Sequence, residues 1–536
     1  VSVLLPIVAM DAGDDAAFAL SLMLIGSVAF VLSIFYLLNS QDPHIQSYSW
    51  NVVSGGICTF MGVRIGTAWN AMVSFYVLGA DASADSKIIA GGLLSVGWYL
   101  LLQVVLAWVC GLFKHAGNRG QTDIVRMVLN LKCWAVMLGI ITGASSMGFF
   151  SSIQELGKDS ATWILAMPVV AFFTLGAIYH VGDSIRMQVQ KMDDGEVDLY
   201  EEAWDKYTDQ TEDVVIALTV GHLVVQSSRY LLTGTLPLPT GEVRPGTEIE
   251  DSDVWTLTGS SFIYISLIIG IQFWKPQTDF GKMVQRRGGQ ILANCTAFAL
   301  FYSTTWYAKE MLELSGPAQS LVVALGVTWC AFIALLLLDY LADLECTGER
   351  FDRALRQMVA PISVFIGFGW KGAFAAAGTT LVQDIHLFSP PLENLLMTLI
   401  LLCFVLPAWR MYILPVVMLD ELRSMRKKKG LLQYNRSVTG LAIEELMDAQ
   451  AKHAFHKLEI CLDSSIFEGQ MEANLLELER LEENVRTKLA KLKSRNSESA
   501  NSQSNGNALG LEDGKVNLAA AVVEKDQERG PWSLLH

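Results

Sequence analysis

Apolar residues fall into eleven long stretches along the chain, and polar residues collect in the short loops between them. A bilayer core of about 30 Å needs roughly 20 consecutive apolar residues in one helix, and each stretch reaches about that length. The pattern predicts an all-α, polytopic membrane protein whose transmembrane domain occupies 17–419. The predicted spans are 17–39, 49–79, 88–113, 123–153, 162–183, 213–233, 256–274, 289–308, 319–342, 354–380 and 393–418.

The composition agrees with a membrane domain. Hydrophobic residues make up 52% of the chain and charged residues 17%, and the mean hydropathy is +0.36. Soluble proteins carry about 25% charged residues. The net charge of −15 is not spread evenly over the protein, because acidic and basic residues lie in different loops.

Loop charge predicts the orientation. One set of loops, with the segment after the last span, holds eighteen basic residues: Lys114, Arg119, Arg126, Arg186, Lys191, Lys206, Lys275, Lys282, Arg286, Arg287, Arg350, Arg353, Arg356, Arg423, Arg426, Lys427, Lys428 and Lys429. The opposite set holds four: Lys87, Lys158, Arg244 and Lys309. Because basic loops stay in the cytosol, we expect the N-terminus outside and the C-terminus in the cytosol.

The spans pair off into helical hairpins, each with a descending helix, a cytosolic loop and an ascending helix. The units start near 17, 88, 162, 256 and 319, and the largest carries an acidic insert at 193–213. Three ascending helices have an asparagine near their start: Asn51, Asn130 and Asn294. Two carry glycine pairs that let helix backbones approach closely: Gly62 with Gly66, and Gly139 with Gly143. The recurrence indicates duplicated hairpins; the alternative is that membrane helices resemble one another at this level.

Ionisable residues lie inside several spans, where a cation costs roughly 2.5–3.5 kcal/mol on insertion scales. The candidates for a transport pathway are Arg64, His222, Arg229 and Lys371. Their three cations lie 15–17 residues into ascending spans, and no acidic residue is expected at that depth. Lys132 and Arg410 lie closer to the cytosolic half. Basic rings select anions, so the set predicts a polar pathway for an anionic solute, with His222 supplying pH sensitivity. The alternative is that long basic side chains snorkel to the interface or bind lipid phosphates.

Prolines give a second indication of a transport site. Four of them fall within spans and are expected to break or kink their helices: Pro168, Pro361, Pro407 and Pro415. Broken helices often frame substrate sites in transporters, although kinks also occur without any transport role.

No motif points to an enzyme or to a bound cofactor. A phosphate-cradling glycine loop followed by Lys-Ser or Lys-Thr is missing, as are His-Glu-x-x-His and a Cys/His cluster at zinc spacing. We therefore expect no catalytic residues, no metal, no cofactor and no nucleic-acid partner.

The chain changes character at both ends. Residues 1–16 are expected to form an extracytosolic lead, and 420–497 a cytosolic helical and coiled-coil region. Heptads at 471–492 predict pairing of two copies or docking of a protein partner. Residues 498–536 are rich in Ser, Asn and Gly and predict a disordered tail. A basic cluster suited to anionic lipid headgroups follows the last span: Arg423, Arg426, Lys427, Lys428 and Lys429.

Two functions remain open from the sequence. The first is a channel or secondary carrier for an anion or a small polar solute. The second is a membrane scaffold or receptor-like protein that recruits partners through its coiled coil. A pathway places the intramembrane cations around one interior space, whereas a scaffold leaves them extended toward lipid or the surface.

Overall fold

A computed structural model describes most of the predicted membrane domain. The described residues are 12–79, 82–112, 124–192, 198–310, 316–342, 351, 355, 358–385, 388–419 and 421–422. The predicted lipid-contact cluster at Arg423, Arg426 and Lys427–Lys429, the heptads at 471–492 and the tail at 498–536 lie outside them. Of the predicted lead, residues 12–16 are described, and they belong to the first helix.

Eleven long helices account for nearly all of the described residues. They are α1 (Ala12–Leu38), α2 (Pro43–Val73), α3 (Ala84–Cys110), α4 (Ile124–Leu156), α5 (Ala161–Met192), α6 (Leu199–Thr233), α7 (Asp251–Phe273), α8 (Asp279–Glu310), α9 (Gly316–Ala342), α10 (Val359–Ile385) and α11 (Pro390–Ala408). Each predicted span overlaps one of these helices, so the all-α class is confirmed for this part of the chain.

Seven of the eleven helices are long and apolar enough to cross a membrane: α3, α4, α5, α6, α7, α9 and α11. The other four do not meet that standard, and the described apolar stretch of α1, Leu24–Leu38, is short. Passage of all eleven helices through the bilayer therefore stays a prediction, as does the duplication of the hairpins.

The helices form two layers. In the described residues, α2, α4, α6, α8 and α10 make an inner ring in which each helix contacts the next and α10 closes onto α2. The helices α1, α3, α5, α7 and α9 pack outside this ring, and α11 lies against α2. The buried share of the most apolar 18-residue segment is 61% in α4 and 72% in α6. It is 28% in α3, 28% in α5 and 22% in α7. The outer helices cover much of the ring, so polar residues of α2 and α8 lie in the interior of the bundle.

The ring helices run parallel to one another. At the seam between α2 and α4, Gly62 faces Ile140 and Gly66 faces Ala144, so the contacts advance together along both helices. The other seams show the same order: Gly139–Thr211 and Gly143–Leu218, Asp213–Arg287 and Gly221–Asn294, Gly55–Ser363 and Thr59–Gly367. A parallel ring needs returning helices, and the outer layer supplies them.

Glycines bring the ring helices into close contact. A Cβ added at these positions would lie 2.7 Å from Ile140 Cγ2 for Gly62, 2.9 Å from Leu218 Cδ1 for Gly143, 2.9 Å from Asn294 Cβ for Gly221 and 2.6 Å from Thr59 Cβ for Gly367. Real Cβ atoms need more room than this, so the seams depend on the missing side chain.

The larger part of the acidic insert at 193–213 is helical, because α6 begins at Leu199. Asp198 caps the helix in a capping box with Glu201. Further along, Glu212 and Asp213 are buried. Both carboxylates are paired with arginines, so their charge does not end the helix.

The four prolines differ in their effect. Pro168 lies inside α5 and Pro407 inside α11, where a π-helical turn, Trp409–Ile413, follows it. Pro415 begins the short helix Leu414–Val417. Pro361 does not break its helix, contrary to the expectation, because it lies in the first turn of α10, where backbone N–H groups have no helical partner.

Candidate functional site

A cavity of about 510 Å³ lies on the axis of the ring and is lined by all five ring helices. Its walls begin near the N-terminal third of each helix, and apolar side chains form most of them. The charged and amide side chains at the cavity are Lys132, Gln210, Asp213, Arg286, Gln290 and Asn294.

The carboxylate at the cavity is neutralised by arginines of α8. Asp213 Oδ1 lies 2.6 Å from Arg287 Nε, and Asp213 Oδ2 lies 2.8 Å from Arg286 Nε. Arg286 also contacts Asp209 Oδ2 at 2.7 Å, and 45% of its side chain is exposed. This end of the cavity therefore reaches the surface through an ion-pair network.

Lys132 is a cation of the cavity wall that shares one carboxylate with a second lysine. Its Nζ lies 3.4 Å from Gln210 Oε1, a long hydrogen bond, and 5.2 Å from the centre of the Tyr207 ring. Glu421 interacts electrostatically with Lys132 and forms an ion pair with Lys206. Two ammonium groups therefore share one carboxylate, and Lys132, which has three donors, keeps donor capacity.

Arg64 lies inside the helix bundle rather than at its surface, since only 5% of the residue is exposed. Its Nη2 donates to Asn394 Oδ1 at 2.7 Å and to Thr398 Oγ1 at 3.3 Å, both on α11. Within the described part of the chain its partners are neutral, and its Nε donates to none of them. The cation is thus held by amide and hydroxyl dipoles.

His222 is fully buried between α6 and α8. Its Nδ1 lies 3.2 Å from the Tyr302 hydroxyl, its Nε2 lies 3.0 Å from Gln226 Nε2, and the Phe298 ring meets it edge-on. Gln226 Oε1 accepts from Arg229, so the amide nitrogen of Gln226 is the atom that donates to His222. The contact requires an unprotonated Nε2. This arrangement holds His222 neutral and opposes the predicted role in pH sensing.

Arg229 is 1% exposed and lies deep in the bundle. Its Nη1 donates to Gln226 Oε1 at 3.1 Å and to the Gly241 carbonyl oxygen at 2.8 Å. The guanidinium carbon lies 4.1 Å from the centre of the Tyr302 ring and 5.1 Å from that of Trp306. Aromatic faces and a carbonyl thus stabilise this charge.

Lys371, half-buried on α10, interacts electrostatically with Arg64 and with Glu242 of the loop at 234–250. His222 in turn lies within electrostatic range of Lys371 and Arg229. The structure therefore brings the four predicted pathway residues into one interior region.

An aromatic contact separates this region from the cavity. Phe298 lies one turn beyond Asn294, Phe368 lies one turn beyond Val364, and the two buried rings meet edge-to-face with centres 5.1 Å apart. Arg64, Arg229 and Lys371 follow further along their helices. Neither ring lines the cavity, so the aromatic pair lies between the part of the wall at Asn294 and Val364 and the predicted cations.

Sequence reasoning missed most partners of these cations. Tyr302 and Trp306 recur with Phe298 at four-residue spacing on α8, and Gln226 and His222 share a face of α6 with Arg229. That spacing was a usable signal for a buried polar face. The contacts from Asn394 and the Gly241 carbonyl had no sequence signal.

The chain is an all-helical protein whose apolar helices are compatible with a multi-pass integral membrane protein. Within the described residues, His, Cys, Asp and Glu side chains form no group of three that would hold a metal ion. No protein-family model, curated protein or solved structure matches the chain.

Proposed function

We propose that the chain is a secondary carrier or channel that moves an anion or a small polar solute along the axis of the five-helix ring. All eleven helices would cross the bilayer, with the N-terminus outside and the C-terminus in the cytosol. The observation that carries this proposal is the axial cavity, continued along the same helices by the buried cations Arg64 and Arg229, which form no ion pair with a carboxylate among the described residues.

The size of the cavity argues against a purely structural ring. Packed interiors hold few voids larger than one water. The space of about 510 Å³ is partly open to the surface and is far larger than the space that one water needs. A ring that served only as a scaffold would not need an opening of this size along its axis.

The burial of the cations argues against snorkelling. Arg64 is 5% exposed and Arg229 is 1% exposed, so neither guanidinium extends to lipid headgroups or to solvent. Each intramembrane cation costs roughly 2.5–3.5 kcal/mol on insertion scales. Their retention without ion pairs is what an anion pathway requires, since a carboxylate partner would cancel the attraction.

The arrangement around the cavity favours a carrier over an open channel. Arg286, which is 45% exposed, lines one end of the cavity. The buried Phe298–Phe368 contact lies one turn beyond the lining residues Asn294 and Val364, and Arg64 and Arg229 follow further along their helices. Loop 234–250 lies over the far end, where the Gly241 carbonyl accepts from Arg229. A site open at one end and closed at the other is the geometry of alternating access.

Anion flux in proteoliposomes tests the proposal. Purified protein is compared with its Arg64→Ala, Arg229→Ala and Lys371→Ala variants, using chloride, nitrate, phosphate and carboxylates. Lys158→Ala is the matched control, because Lys158 is exposed on the loop between α4 and α5. We expect flux in the wild type and control, and at least a tenfold loss in the interior variants that retain their helical content. Absence of flux for every anion, or equal loss in the control, would reject the pathway.

A further inference from the structure

The walls of the cavity differ from one helix to another. Beyond Arg286, Gln210 and Lys132, the walls on α4, α6 and α10 include Val136, Ile140, Ala217, Leu218 and Val364, whereas α8 carries Gln290 and Asn294. From Lys132 to Ile140, eight residues along α4, the rise is about 12 Å. A ligand with a charged end at Lys132 and a hydrocarbon body against α4, α6 and α10 matches these walls.

Lys132 is the charge that remains to bind such a ligand. The two arginines of α8 pair with Asp213 and Asp209, so they are already neutralised. Lys132 makes a 3.4 Å contact with Gln210 and lies over the face of Tyr207, and among the described residues its electrostatic partner Glu421 is already in an ion pair with Lys206. A ligand carboxylate placed at the Lys132 ammonium would give the second ammonium group its own ion pair in a partly desolvated site.

The apolar walls of α4, α6 and α10 disfavour an inorganic anion. Chloride or phosphate in the deep part of the cavity would meet amide groups on α8, at Gln290 and Asn294, but only apolar carbons at Val136, Ala217 and Leu218, and unpaired charge in apolar surroundings is costly. Ligand sites for small organic molecules have mainly apolar walls with a few polar groups and measure about 300–1,000 Å³. The cavity, at about 510 Å³, lies within that range.

We propose that the axial cavity binds a small organic monocarboxylate, with its carboxylate at Lys132 and its hydrocarbon body between α4, α6 and α10. The role of this site in transport rests on the proposed function. The binding of a monocarboxylate is argued from the geometry of the cavity alone.

Equilibrium binding to purified protein in nanodiscs tests the site, with acetate, butyrate, hexanoate and chloride as ligands. Burial of each methylene is worth about 0.8 kcal/mol, so affinity is expected to rise about fourfold per methylene from acetate to hexanoate. Lys132→Met is expected to lose at least tenfold in affinity for every carboxylate. Lys158→Met, a matched exposed lysine, serves as the control for charge and for partition into lipid.

A second variant tests the apolar end of the site. Ala217→Phe narrows the deep part of the cavity and leaves Lys132 in place, so hexanoate binding is expected to fall while acetate binding persists. Binding that is independent of chain length, or equal affinities for Lys132→Met and the Lys158→Met control, would overturn the site. A folded Ala217→Phe protein that binds hexanoate as the wild type does would also overturn it.

Flux measured on the same preparations separates this inference from the proposed function. Flux of inorganic anions without any carboxylate binding would leave the pathway standing and remove the monocarboxylate site. Carboxylate binding at Lys132 without flux of any anion would keep the site and remove the transport function.

Discussion

Replacing Gly367 with alanine tests closure of the ring at the seam between α10 and α2. The new Cβ would lie 2.6 Å from Thr59 Cβ and 3.0 Å from the Gly56 carbonyl oxygen, whereas carbon contacts are optimal at about 3.5–4.0 Å. The two helices must therefore separate by roughly 1 Å. Overpacking of this kind costs about 1–3 kcal/mol, and alanine gains about 0.5–1 kcal/mol over glycine inside a helix. The net loss of stability is at most about 2.5 kcal/mol.

Gly372→Ala is the matched control, because it lies on the same helix and a Cβ there would meet nothing within 4 Å. The control is expected to be stabilised by about 0.5–1 kcal/mol, so the two variants should differ by about 1–3 kcal/mol. Unfolding by SDS in mixed micelles, followed by far-UV circular dichroism, measures that difference. If Gly367→Ala proves as stable as Gly372→Ala, α10 does not pack on α2 at this seam and the ring is not closed as described.

Two further predictions concern ion pairs outside the cavity. Glu212→Gln leaves the buried Arg186 guanidinium without its closest carboxylate, at 2.7 Å, but with Asp205 and Asp183 at 3.2 and 3.4 Å, so the free energy of unfolding should fall by about 1–3 kcal/mol in the same SDS titration. Adding Arg186→Met should recover part of that loss. Burial raises the pKa of Glu421, but the Lys206 ammonium outweighs it, and the net pKa lies below its ordinary value. The Glu421 contribution to stability is therefore present above about pH 4.3 and disappears as pH falls through the lowered pKa. Thermal melts across this range should show an acid-side loss that Glu421→Gln reduces.

The helices could be predicted from the sequence because the length of each apolar stretch is visible in consecutive residues. Each apolar stretch overlaps one described helix, and errors concentrate where buried charge is paired. The predicted span 213–233 covers only the later part of α6, because an acidic stretch looks like a loop until Arg186 and Arg287 are known to neutralise Glu212 and Asp213. Those partners lie 26 and 74 residues away along the chain.

The candidate site was predictable only in part. Arg64 and Arg229 were candidates because a cation inside the membrane is unfavourable in free energy, and both residues are buried. The cavity itself forms because α10 packs against α2 and closes the ring. The two helices are about 300 residues apart in the sequence, so no local sequence pattern predicts their contact. Lys132 was recognised only as a cation near the cytosolic half, because its place on the cavity wall follows from that closure.

Chemical modification of the cavity wall tests the central claim most directly. In a variant without native cysteines, a single Ala293→Cys places a thiol on the wall formed by α8, and Leu267→Cys places one on the exposed face of α7. Anion flux is measured before and after a charged, membrane-impermeant thiol reagent is added. The account predicts that modification at 293 blocks flux and that the transported anion slows the modification. Flux that is unchanged after full modification at 293, or that falls equally at 267, would show that the solute does not pass through the ring.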